Sequence, residues 1–183
     1  MNQEELGTIY PIGLVGYDPK WPDLFVKEKV LLESIWSRQI RIEHIGSTAV
    51  PGLSAKPTID ILMQKPEDLS DEQIIQRMED NGYVHMKEQI RHLMFVKGYG
   101  KNGLEREAFH IHIGSLDQDW LWDRVFFRDL LRSDEKEAQR YEDLKTGLAS
   151  RFRNDREAYT EAKSEHIERA TKKAKAGLKG HRF

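Results

Sequence analysis

The sequence contains no cysteine, so disulfide bridges, thiolate metal centres and cysteine nucleophiles are excluded. Long apolar runs are missing as well. Nothing approaches the roughly 20 residues that a membrane-spanning helix needs, and the opening MNQEELGTIYPIG has neither the basic start nor the apolar core of a signal peptide. Nor is there an excess of one charge. Lys and Arg number 29 against 31 Asp and Glu, a net charge of −2 that provides no global drive toward nucleic acid or an anionic membrane. The expectation is a cytoplasmic protein that binds neither membrane nor nucleic acid, with its basic end RATKKAKAGLKGHRF simply solvated.

What is present suits one domain over residues 1–183, long enough to bury a sizeable core. Apolar residues at Trp21, Leu24, Phe25, Leu31, Leu32, Ile35 and Trp36 follow helical spacing, with Pro22 suited to a first turn. Glu28 falls inside this stripe, either at its edge or buried against a partner. IRIEHI (40–45) and TIDILM (58–63) read as strands, and Ser70 with Gln73 forms a capping box for a helix that stops at Gly82. YVHM, HLMFVKG and AFHIHIG (108–114) read as further strands, with GYGKNG as a connection. From Asp117 the pattern turns helical, so residues 117–183 form a helical C-terminal part of an α+β layout.

The stretch GSTAVPGLSAKPTID (46–60) is elaborate for a connection between two strands. Gly46 lets the backbone come close to a ligand, and the Ser47 hydroxyl with nearby N–H groups suits a phosphate. Pro51 and Pro57 stiffen the loop and Gly52 permits a bend. Lys56 could meet a phosphate as a point charge, and Asp60 could bind a divalent cation. The plainer reading is a rigid turn followed by a capped or surface carboxylate.

Gly46-Ser47, ten residues and then TIDIL resemble the signature of the nucleotidyltransferase (polymerase β-like) superfamily. The whole run IEHIGSTAVPGLSAKPTIDIL, with YDPKWPDLF, HIH, FFRDLLR and YEDLK elsewhere, is similar to the GrpB family within it, over roughly Val15 to Lys163. The resemblance implies a nucleotidyltransferase-like mixed, mostly antiparallel sheet, with helices on one face and C-terminal helices covering the cleft. It also implies a Gly-Ser turn that holds nucleotide phosphates and a strand bearing two aspartates, two residues apart, that bind Mg²⁺. This chain departs from that pattern, because Thr58 and Leu62 stand where the second aspartate would be. A single aspartate is a poor scaffold for a two-metal mechanism.

His110 and His112 are two apart on one strand and therefore share a face. They are the candidates to complete a metal site of Mg²⁺, Mn²⁺ or Zn²⁺ with Asp60, or to act as general base or phosphate ligand. A satisfied core is the alternative. Of Glu43 and His44, which face opposite sides of their strand, His44 is the expected contributor. Arg124, Arg128 and Arg132 line one helix face by fours, with Arg124 read as part of a solvated stripe and Arg128 as a phosphate contact. Arg91 and Arg106 are similar phosphate candidates beside the central strands. The expected function is binding of a nucleotide or phosphorylated small molecule, with metal-dependent nucleotidyl or phosphoryl transfer through Asp60, His110 and His112. A binding module without turnover and a His/Asp metal-dependent hydrolase are the alternatives.

Overall fold

A computed structural model describes residues 11–100 and 103–179. Helix α1 (Trp21–Trp36) has proline in its first turn and ends at Ser37, whose left-handed backbone (φ 52°) returns its N–H to the Glu33 carbonyl. Strand β1 (Ile42–Ile45) leads through a single 3₁₀ turn (Ser47–Ala49) and an irregular loop to β2 (Ile59–Gln64). Helix α2 (Asp71–Asp80) starts on the reciprocal Ser70–Gln73 capping box. Then come β3 (Val84–His85), β4 (Leu93–Gly100), β5 (Gly103–Gly114), α3 (Asp119–Ser133), α4 (Glu135–Arg151) and α5 (Arg156–Lys179). No helix among the described residues is long and apolar enough to cross a membrane.

The strands form one mixed sheet in the order β1-β2-β5-β4-β3. β2 and β5 run parallel in its centre, and the other neighbouring pairs are antiparallel. Alternation divides each central strand between two layers. Ile59, Ile61 and Met63 of β2 join Phe109, Ile111 and Ile113 of β5 in the main core, packed with Trp21, Leu32 and Trp36 of α1 and Ile74 and Met78 of α2. The intervening residues, Asp60, Leu62, His110 and His112, face the opposite layer. There Leu62 and Ile45 pack on Leu121, Trp122 and Val125 of α3.

β5 is longer than the AFHIHIG segment, because Gly100 pairs with Gly103 and carries the hairpin through most of the expected connection. The ladder slips between Lys97 and Tyr99. Gly98 sits at the slip with φ +80°, where a Cβ would meet the Glu107 carbonyl at 1.9 Å, so only glycine fits. Glu28 is buried on the main-core side, held at 2.9 Å by Lys97 through both carboxylate oxygens and by the Tyr83 hydroxyl. This ion pair lies on the layer opposite Asp60 and ties α1 to β4.

Candidate functional site

Register brings the central residues together. Asp60 and His110 are direct neighbours across the parallel β2–β5 pair. His110 Nδ1 lies 3.0 Å from Asp60 Oδ1, and its Nε2 faces the Tyr99 hydroxyl. With the carboxylate ionised, Nδ1 donates to Asp60 and Nε2 accepts from Tyr99, which fixes the imidazole tautomer. The slip at Gly98 brings Tyr99 to this side, with its ring stacked on His110 at 5.6 Å between centroids. The Tyr99 hydroxyl also hydrogen-bonds with Thr58 and Arg156, and burial raises its pKa. Thr58 is thus buried in a hydroxyl network.

Asp60 is the carboxylate around which cations collect. Burial alone would raise its pKa, but the His110 hydrogen bond, backed by the charge of Lys56, holds it far below the usual carboxylate range. Its charge is felt by Lys56 of the loop, Arg124 of α3 and Lys163 of α5. Lys163 lies 3.9 Å over the Tyr159 ring, and Lys56 lies 5.9 Å from the same ring centre. Burial, followed by the neighbouring charge of Lys56, pushes the Lys163 amine down to about 7. Burial likewise lowers Lys56, helped by Arg156. Holding this many cations around one carboxylate is unfavourable unless an anion joins them.

The Gly46–Lys56 loop is fastened on several sides. Gly46 adopts φ +74° and leaves room for the Asp60 carboxylate; a Cβ there would stand 2.6 Å from Oδ2. The Ser47 hydroxyl hydrogen-bonds with Tyr141 of α4. Arg132 donates to the Ala49 carbonyl at 2.8 Å, Lys145 donates to the Ser54 carbonyl, and the Ser54 hydroxyl donates to Glu142.

His112 is buried on the site face, with Nδ1 2.8 Å from Nε2 of His92. Burial pushes His92 to about 4 and, aided by Arg124, lowers His112 well below its usual value, so both are neutral near pH 7. Trp120 packs edge-on against His92, and Arg91 lies 4.2 Å over the Trp120 ring. Among the described residues, no three of the His, Asp and Glu side chains converge in a way that could hold a metal ion. The reason is local: His110 and His112 are engaged with Asp60, Tyr99 and His92. The donor that fits a cation is Asp60 Oδ2, beside Gly46. One carboxylate suits a hard ion that shares phosphate oxygens and keeps its waters, rather than a protein-caged Zn²⁺.

Several expected residues are elsewhere. Ile45, not His44, pairs with Asp60, so His44 points to the α1 side, stacked on Phe25 at 4.8 Å and 3.0 Å from the Thr48 hydroxyl. Glu43 faces the Asp60 layer instead, but it is taken up by Arg41 and Arg128. Arg128, expected as a phosphate contact, acts as a clamp in this structure: its guanidinium binds Glu43, Asp129 and the His44 carbonyl at 2.8–2.9 Å. Arg124, expected in a solvated stripe, turns to Asp60 and His112. The Arg106 side chain lies outside the described residues. A groove of about 930 Å³ runs beside β1, past Phe25, His44, Val50 and Arg128, and contains none of Asp60, His110 and His112. It runs along the edge strand β1 and its lining draws on both layers, Phe25 of α1 and Arg128 of α3, whereas the converging charges lie at Asp60 and mark the candidate site.

Residues 11–173 match the family model described as GrpB protein. The chain belongs to the GrpB family. It is 38% identical over 166 residues to UPF0157 protein PA4798 of Pseudomonas aeruginosa, covering 88% of this chain and 67% of that one. Identity to glutamate-rich protein GrpB of Alkalihalophilus pseudofirmus is 35% over 160 residues, covering 85% and 91%. The fold is similar to the crystal structure of conserved protein GrpB from Enterococcus faecalis, at a TM-score of 0.76 and 29% identity over 88% of this chain and 96% of that one.

In this GrpB-family chain, sequence reasoning missed Tyr99, Arg124, Tyr141, Arg156 and Lys163. One signal was available: Arg156, Tyr159 and Lys163 follow the three-then-four spacing of one helix face. Nothing in that spacing tells a solvated face from one turned to a cleft over 90 residues away in sequence.

Proposed function

We propose that this protein binds a phosphorylated small molecule, with nucleotides as the leading class, in the cleft on the Asp60 face of the sheet. The observation that carries this reading is that Lys56 and Lys163 share the Tyr159 ring at 5.9 and 3.9 Å and, with Arg124, act electrostatically on one carboxylate, Asp60. Such a cleft favours a multiply charged anion over a neutral or cationic ligand. The Gly46–Ser47 turn offers the close backbone approach that a phosphate needs, and the resemblance to nucleotidyltransferases supports the same ligand class. A divalent cation at Asp60 Oδ2, shared with phosphate oxygens, would neutralise phosphate charge there. His110, oriented by Asp60, is the group suited to accept a proton from an incoming hydroxyl once Tyr99 is displaced.

A second reading is binding without turnover, favoured by the Tyr99 hydroxyl against His110 Nε2 and by Thr58 in the second aspartate's place. Calorimetric titration with nucleoside mono-, di- and triphosphates and with sugar phosphates, with and without Mg²⁺, tests the proposal. Binding weakened at least tenfold by Lys56→Ala is expected. Incubation with the tightest binder, followed by product chromatography, separates transfer from binding alone. Absence of binding by every phosphorylated compound, in both conditions, removes the proposal.

A further inference from the structure

We infer that the Asp60 face holds an anion subsite that works without a divalent cation, formed by Lys56, Arg156 and Lys163 where Thr58 and Tyr99 meet. Its ligand is a phosphate group, and Asp60 opposes rather than supports that group there. The inference rests on the phosphate-binding reading and adds where the charge compensation comes from.

Its position follows from topology. Thr58 precedes β2, and its N–H donates to the Lys56 carbonyl at 2.7 Å, a tight turn that keeps both residues at the entry to the strand. Tyr99 reaches the same end of the sheet through the slip at Gly98. The first two turns of α5 bring Arg156, Tyr159 and Lys163 over this point on one helix face. The Tyr159 ring is shared by the two amines, at 3.9 and 5.9 Å. Arg156 acts on Lys56 and hydrogen-bonds Tyr99, so guanidinium and amines gather at this end of the sheet.

Here Thr58 carries no charge, and the positive charge is built into the protein as Arg156 and the two lysines. Fixed cations supply the attraction for phosphate directly, with donors preorganised against it. The unbound cluster is electrostatically strained: Lys56 and Lys163 repel one another, Lys145 adds to the repulsion on Lys163, and Asp60 relieves it only in part. Glu142, the other nearby carboxylate, is occupied by Lys145 and Ser54. An arriving phosphate therefore relieves repulsion among the cations, whereas Asp60 repels it. A metal-bridged site has the opposite dependence on Asp60.

The test is titration of the full chain with inorganic pyrophosphate in EDTA and, separately, in Mg²⁺. The expected result is binding in EDTA that Lys163→Ala weakens at least tenfold, that Lys163→Arg largely restores, and that Asp60→Asn tightens. Circular dichroism melting of each variant verifies folding, and the comparison of EDTA with Mg²⁺ on the unaltered chain needs no variant. Binding seen only with Mg²⁺ and abolished by Asp60→Asn overturns the inference and leaves the phosphate-binding reading standing. No pyrophosphate binding in either condition, while other phosphorylated compounds bind, also overturns it. Failure of all phosphorylated compounds overturns both.

Discussion

Gly46 and Asp60 occupy one space that has no room for another methyl group: a Cβ on Gly46 would stand 2.6 Å from Asp60 Oδ2. Ile45 pairs with Asp60 across the β1–β2 ladder, so the turn begins directly beside the carboxylate. Gly46→Ala must therefore move Asp60 and also strain a backbone at φ +74°. The expected outcome is a stability loss of about 1–3 kcal/mol, together with loss of any Mg²⁺-dependent gain in nucleotide affinity. Urea unfolding and calorimetry measure the two effects. A variant unchanged in both would refute the close contact.

Arg128 offers the contrast, a cation whose work is structural. It is buried and joins α3 to β1 through Glu43 and the His44 carbonyl. Arg128→Ala should cost roughly 2–3 kcal/mol, since charged hydrogen bonds are lost and partly buried acceptors stay unpaired. Phosphate affinity of the folded variant should stay within about threefold, a change worth less than roughly 1 kcal/mol. A loss above tenfold at full folding would return Arg128 to the phosphate site.

Lys163 should trade stability for binding. Its folded pKa is lowered from 10.5 to about 7, with burial the first cause and Lys56 the next. Above pH 10.5 the amine is neutral in both states and carries no penalty. As pH falls toward 7 the unfolded chain takes up a proton that the folded chain resists, so stability drops, and below 7 the penalty is complete. Lys163→Met should therefore melt higher than the unaltered chain at pH 7, with the gap closing toward pH 10.5, while binding pyrophosphate more weakly. Parallel melting curves across this range provide the measurement. A Met variant that melts lower at pH 7 would contradict the burial of the amine.

Acid should unfold the protein through its buried histidines. His44 and His92 are held near 4 and His112 is held well below its usual value, all chiefly by burial. Their contribution is complete above the unfolded value of 6.5 and is lost as pH falls from there toward 4, because the unfolded chain protonates first. Each such proton adds about 1.4 kcal/mol per pH unit to the slope of stability within the window. Urea unfolding between pH 6 and 4.5 should reveal more than one proton of difference, and His44→Gln with His92→Gln should flatten the slope. An unaltered slope in the double variant would place the titrating groups elsewhere.

Much of the architecture was legible because it is written in local periods. The apolar stripe from Trp21 to Trp36, the Ser70–Gln73 box and the alternation of IEHI and FHIHI each specify an element without knowledge of the rest. The capping box forms as read. The expectation for His44 missed for a reason that strand alternation cannot resolve. Alternation separates Glu43 from His44, but only the pairing of Ile45 with Asp60 says which of them shares the aspartate's face.

The sequence by itself determined the α+β order, the family through its Gly-Ser run, and the absence of a second aspartate beside Asp60. It also excluded cysteine chemistry. The tertiary structure alone decided what surrounds that aspartate. His110 arrives by strand register, Tyr99 by a slip at Gly98, and Arg124 and Lys163 from helices far along the chain. The physical reason is that local sequence sets which faces alternate, whereas long-range packing sets which faces meet. Charge depends on the meeting: the same lysine is an ordinary surface cation on an isolated helix and a half-neutral amine beneath the cleft.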